Sequence, residues 1–160
     1  MRFLQAFLLF IARSSIASIF IAAAISKFVF FDQTVQYMTS KGFTIVPLFL
    51  VGAAAVEFFG GLSVVFGYKA RFGATLLLLF LIPTTLIFHD FWNVTDHDLQ
   101  VLQFTNFMKN VSIFGGLLYL ICFGAGKFAF DNICFRTSPA QVSRPLDRPI
   151  EIQRPPEQKL

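Results

Sequence analysis

Glu57 stands in the middle of an apolar run from about Phe43 to Gly67, with Gly52, Ala53, Gly60, Gly61 and Val64 at helical spacing around it. A carboxylate in such a run is costly unless neutral or paired, so it must face other protein rather than lipid. Held in an apolar surround, it can take up and release a proton. His89 is a second candidate for proton handling, because imidazole exchanges protons near neutrality. Lys27, Trp92, Lys109 and Asn110 lie within or at the ends of the other apolar runs and supply hydrogen-bond donors. These four form a candidate cofactor- or substrate-binding pocket, with Glu57 and His89 as its candidate catalytic groups. The competing reading is a structural clasp, in which the same polar groups only hold helices in register.

Depth along the chain suggests who pairs with Glu57. It lies ten residues before Gly67, while Lys109 lies fifteen before Gly124. At 1.5 Å per helical residue the axial offset is about 7 Å, within reach of a lysine side chain. The expected pair is therefore Glu57 with Lys109, with Asn110 beside it and Lys27 and His89 joining the same pocket.

The elements that must position these groups follow from composition. Of 160 residues, 56% are apolar, 14% are charged and 23 are Phe. A soluble domain carries about 25% charged residues. Ten of the 22 charges fall between Lys127 and Leu160, which leaves twelve for everything before. So few cannot surface a water-soluble sphere, which excludes a soluble enzyme, a nucleic-acid binder and a secreted disulfide scaffold. The net charge of +4 is no signal for DNA. The chain is an integral membrane protein whose first partner is the lipid bilayer.

Four stretches meet the length of about 20 residues that a helical span needs. They lie within Phe3 to Phe31, then from about Phe43 to Gly67, Phe72 to Trp92 and Phe104 to Gly124. Four strands could not close a barrel, so the spans are helices and the fold class is all-α, a membrane four-helix bundle. Pro47 suits a first helical turn, where a missing N–H costs nothing. Pro83 falls mid-helix, where Thr84 and Thr85 can help satisfy the freed backbone. The apolar run continues past Ala24, against a cleaved signal peptide. Phe59-Gly60-Gly61-Leu62 and Phe114-Gly115-Gly116-Leu117 echo one another and hint at a duplicated hairpin.

Arg2, Arg13, Lys69, Arg71 and six basic residues from Lys127 onward fall on one side, against Lys27, Lys41 and Lys109 on the other. Basic residues stay in the cytoplasm, so both termini are expected there and the location is a bacterial inner membrane. Residues 1–131 form the transmembrane domain. Residues 132–160, rich in Pro and Arg, are expected to be a disordered cytoplasmic tail, because such a stretch buries too little to order itself. Cys122 and Cys134 read as ordinary thiols. The spacing of His89, His97, Asp90, Asp96 and Asp98 matches no metal-ligand motif, so no metal is expected.

Taken in order, Arg13, Ile25-Ser26-Lys27-Phe28, Glu57-Phe58-Phe59-Gly60-Gly61-Leu62, Gly67 and Arg71 form a recurring pattern. It continues through Phe88-His89-Asp90-Phe91-Trp92, Phe107-Met108-Lys109-Asn110 and Gly115-Gly116, then Gly124-Ala125-Gly126-Lys127 and Asp131. The pattern resembles the DoxX-like family of small four-helix bacterial membrane proteins over about residues 10 to 131. That resemblance implies a membrane subunit of a respiratory or sulfur-oxidising system, as in thiosulfate:quinone oxidoreductase. By the same analogy Lys27, His89 or Lys109 would hydrogen-bond a quinone carbonyl and Glu57 would handle a proton. No haem pair, iron–sulfur motif or flavin fingerprint is present, so the chain would be a subunit of an oxidoreductase rather than a self-sufficient enzyme. It would need a soluble or membrane redox partner, and a homo-oligomer is a further option. The alternative is a non-enzymatic membrane scaffold or assembly factor.

Overall fold

A computed structural model describes residues 2–126 and 129–131. Helix α1 spans Arg2–Val29, α2 Phe31–Ser40, α3 Val46–Phe66, α4 Ala70–Phe88 and α5 His97–Phe123, with a single 3-10 turn at Phe91–Asn93. Four of them, all but α2, are long and apolar enough to cross a membrane. They make the expected all-α four-helix bundle. Helix α1 packs on α3, α3 on α4 and α4 on α5, with a slighter α1–α5 contact that completes the circuit; α3 and α5 are diagonal and hardly touch. The bundle has a terminal end, where α3 turns into α4 and α5 stops, and an opposite loop end carrying α2.

Small residues make the seams. A Cβ on Gly61 would come within 2.7 Å of Ile21 on α1, and one on Gly60 within 2.8 Å of Leu77 on α4. Helix α3 is thus pressed between two neighbours, with close backbone approach in place of hydrophobic driving force. On α5 the echoing motif is used once: Gly116 meets Ile16 of α1, while Gly115 faces open space. The core comprises Ala17, Phe20, Val64, Ala74, Leu77 and Leu117, among others.

Pro47 occupies the first turn of α3 as expected. Pro83 lies inside α4, and Thr84 and Thr85 donate at 2.7 Å to the carbonyls of Phe80 and Leu81. Both hydroxyls therefore bond beside the Leu79 carbonyl that the proline leaves without its helical donor.

Two elements depart from the sequence expectation. Helix α2 fills what reads as a plain connection. Phe31, Val35 and Met38 fall at i, i+4 and i+7 and pack with Val46, Leu50 and Phe88, so one face is buried and Asp32, Gln33 and Gln36 stay out. Helix α5 begins at His97, not Phe104, because the Asp96 carboxylate accepts from the Leu99 N–H at 2.9 Å. That is an ordinary N-cap, and it adds about two turns. Residues 132–160, expected as tail, lie outside the described residues, as does Cys134; Cys122 is an exposed free thiol.

Candidate functional site

Glu57 is buried on α3 and its Oε2 lies 2.6 Å from the Nζ of Lys27. The expected Glu57–Lys109 pair is not formed. Lys109 is exposed on α5 and donates to the Asn106 side chain at 2.9 Å. Equal height on two helices does not bring their side chains together: α3 and α5 are diagonal, so no lysine on α5 reaches Glu57. Lys27 does, because α1 packs directly on α3. Arg13 and Gly67 are in contact at the terminal end, and from that shared level Lys27 stands only about 6 Å higher than Glu57. The lysine stem spans that difference.

Lys27 also lines a cavity of about 390 Å³ at the loop end. Its wall is apolar: Phe43, Phe49, Phe80, Ile87 and Phe88 from the bundle, with Tyr37 and Met38 from α2 above. Ala53 and Pro83 form part of the lining and leave room where larger residues would not. Phe43 stacks on Phe88 at 5.8 Å between ring centroids, which fixes one wall. Helix α2 is tied over the opening by Lys41, whose Nζ lies 2.6 Å from Asp90 Oδ1, and by a long Tyr37 hydroxyl contact to the Phe88 carbonyl. The Lys41 pKa is held above its ordinary value, mainly by the hydrogen bond to Asp90. Apolar walls with one cation at a polar corner make a site that can hold a flat or elongated apolar molecule by a single acceptor.

The remaining candidates lie elsewhere. His89 caps the end of α4 and its Nδ1 lies 2.8 Å from Gln103 Oε1. Asn110 is buried and donates at 3.0 Å to Thr85, and these two line a separate cleft of about 290 Å³ between α4 and α5. Trp92 is exposed and meets Phe91 and Phe107 edge-on. The single expected pocket is therefore divided: Lys27 and Glu57 at the α1–α3 seam, His89 and Asn110 at the α4–α5 seam, Trp92 and Lys109 outside. Among the described residues, no three His, Cys, Asp or Glu side chains converge.

The residues that sequence reasoning missed are those of α2 and the aromatic wall. Among 23 Phe, nothing in the sequence separates the four lining ones from those facing lipid. The signal that was available is the i, i+4, i+7 pattern of Phe31, Val35 and Met38.

At the terminal end, charge serves the backbone. Arg13 is 2% exposed and donates to the Ala125 carbonyl at 2.7 Å. Asp131 accepts from the N–H groups of Lys69 at 2.8 Å and Ala70 at 3.4 Å, which caps the start of α4. Gly67 has φ 69°, and a Cβ there would lie 2.6 Å from Ala129 and 2.7 Å from Arg13. Only glycine fits both the conformation and the space.

This arrangement joins Arg13, Glu57, Gly67, Arg71 and Asp131, the scattered members of the pattern read from the sequence, into one bundle. The DoxX family model matches residues 8–90. Inner membrane protein YphA of Escherichia coli K12 is 36% identical over 125 residues, covering 78% of this chain and 89% of the relative. The chain belongs to the DoxX family. A second relative from that organism, inner membrane protein YqjF, is 32% identical over 124 residues, covering 77% of this chain and 88% of its own length. The SURF4 family model also matches residues 54–134 of this DoxX chain. The Surfeit locus protein 4 homolog of Schizosaccharomyces pombe is 41% identical over 70 residues, 43% of this chain and 23% of that protein. No solved structure matches.

Proposed function

We propose that this DoxX protein is a quinone-interacting membrane subunit of a redox complex. The observation that carries the reading is the aromatic cavity of about 390 Å³ with Lys27 at its polar corner and Glu57 behind it. A quinone ring is flat and apolar with carbonyl oxygens at its edge, and the lining fits that shape of demand: Phe43, Phe49 and Phe88 for the ring, the Lys27 ammonium for one carbonyl. When bound, the quinone would supply the electron-carrying chemistry. Lys27 would orient it, Glu57 would set the position of the ammonium and hold a proton within reach, and α2 would keep water out. Since the chain carries no redox motif of its own, electrons would come from a partner subunit.

The location in this reading is a bacterial inner membrane, as the names of the two Escherichia coli relatives suggest, with both termini cytoplasmic. The basic bias towards the terminal end supports that orientation. A reporter active only in the cytoplasm would then work after Leu160 and fail at Ser40.

The test is direct. Purified protein in mild detergent is titrated with a short-chain ubiquinone, and Ala53→Leu is compared with wild type. Ala53 lines the cavity and has no polar atom in the side chain to bond either member of the pair, so the larger side chain should fill the space and abolish binding while the fold persists. Equal binding by both proteins, or none by wild type, would overturn the reading. One observation favours the second reading, a scaffold: the Lys27–Glu57 pair bridges α1 and α3, which is what a clasp would do.

A further inference from the structure

We propose that the cavity at the terminal end binds the phosphate of an anionic phospholipid, a site separate from the loop-end cavity and independent of its reading. The space measures about 700 Å³ and lies between the start of α4 and the turn that follows α5. Lys69 and Arg71 line it, and both are exposed. Asp131 lines it too, but its carboxylate is turned to the N–H groups of Lys69 and Ala70. Among the described residues, the Arg71 guanidinium gives one of its five donors to a partner, the Cys122 carbonyl at 3.3 Å. An Arg fork with donors to spare, next to a lysine, is the chemistry that holds a phosphate.

Gly124 keeps that fork clear. A Cβ there would approach the Arg71 Nε to 3.3 Å, and its φ of 76° already excludes most side chains. The choice of a lipid over a free phosphate ion rests on the rim. Phe72 and Phe123 flank the opening at 69% and 70% exposure, on helices long and apolar enough to cross a membrane. A phosphate ion has no use for two exposed aromatic rings, whereas acyl chains would lie against them. The basic pair stands where the helices end, which is headgroup level for a spanning bundle.

The test uses the full chain, delipidated in detergent and offered phosphatidylglycerol or phosphatidylcholine with the same acyl chains. Native mass spectrometry should show preferential retention of phosphatidylglycerol. Lys69→Gln with Arg71→Gln should cut that retention about thirtyfold, the loss expected for two basic contacts, while Arg71→Lys keeps part of it. Equal retention of both lipids, or an unchanged double variant, would overturn the proposal. Millimolar inorganic phosphate that displaces the lipid would reassign the site to a free ion; failure to displace it supports the lipid. Should the double variant not fold, wild type suffices: a headgroup-photoreactive phosphatidylglycerol should label Lys69–Phe72 and the turn at Gly124, and labelling confined to other segments would refute the site.

Discussion

At the terminal end Arg13 and Arg71 each donate to a backbone carbonyl and Asp131 accepts from backbone N–H groups, whereas at the loop end Lys27 and Lys41 each meet a carboxylate. The first arrangement closes turns: the carbonyls that end α5 and the N–H groups that begin α4 have no helical partners and receive them from side chains. The second joins side chain to side chain across helices, and one of its pairs borders a cavity. A charge committed to the backbone is part of the architecture. A charge committed to another charge beside an open apolar space can exchange its partner for a ligand. The comparison therefore separates charges that hold turns together from charges that border the loop-end cavity, with the exposed Lys69–Arg71 pair as the part of the terminal end left to a ligand.

The largest effect should come from breaking the buried pair. Glu57→Gln leaves the Lys27 ammonium with a weaker partner, and removing one half of such a pair typically costs about 3–5 kcal/mol. Combining it with Lys27→Met removes both charges and should recover much of that loss. The same cycle with Lys109→Met should be additive, since Lys109 does not touch Glu57. Denaturation in mixed micelles gives all three numbers. If stability and quinone binding both return in the Glu57–Lys27 double variant, the pair is a clasp only. If stability returns and binding does not, the ammonium is a ligand.

How much of this was legible in the sequence differs between the two ends. The four spans were, because each is a long apolar run and a bilayer admits little else. Burial of Glu57 and the place of Pro47 also follow from local rules, whereas Thr84 and Thr85 bond the Phe80 and Leu81 carbonyls and not the Leu79 carbonyl that Pro83 frees. The partner of Glu57 did not, because height along a helix can be counted from sequence while the circuit of helices cannot. Lys27 and Lys109 both satisfied the height criterion, and only the diagonal placement of α5 decides between them. The cavity was hidden for a related reason: its wall is drawn from three helices and a loop, and aromatic residues on lipid-facing and cavity-facing surfaces look alike. Asp131, read as the last residue of the domain and a member of the family pattern, had no partner legible in the sequence. It sits where the composition turns polar, yet it is tied to α4 across more than sixty residues of chain.

Next in size is Arg13→Met. The substitution keeps most of the apolar stem but leaves the Ala125 carbonyl without its charged donor at a buried position. A loss of about 2–3 kcal/mol is expected. If the two ends are as distinct as argued, short-chain quinone should still bind Arg13→Met at temperatures where it is folded. Loss of binding by the folded variant would show that the ends are coupled. Asp131→Ala removes a helix cap from outside the helix and should cost about 1 kcal/mol. Hydrogen exchange at the Lys69 and Ala70 amides would report it locally, and protection unchanged from wild type would mean that the cap carries no weight.

The smallest effect belongs to Lys41 and Asp90, the half-exposed pair that ties α2 over the cavity. Such pairs contribute below about 1 kcal/mol, and salt weakens them. Its pH dependence has a definite sign. The bond to Asp90 raises the Lys41 pKa, so the ammonium form is the one the fold favours. The stabilisation is therefore complete below the ordinary lysine value of about 10.4 and is lost as pH rises through the elevated folded value. Wild type and Lys41→Gln should differ slightly in Tm at pH 8 and converge at strongly alkaline pH. A difference that persists after the lysine is deprotonated would assign it to packing of the lysine stem rather than to charge. Because the pair restrains α2, which roofs the cavity with Tyr37 and Met38, the same variant should speed both entry and exit of a quinone and change its Kd less than either rate. A change in entry and exit rates unequal enough to shift Kd would show that Tyr37 and Met38 of α2 contribute binding energy and not only a barrier to access.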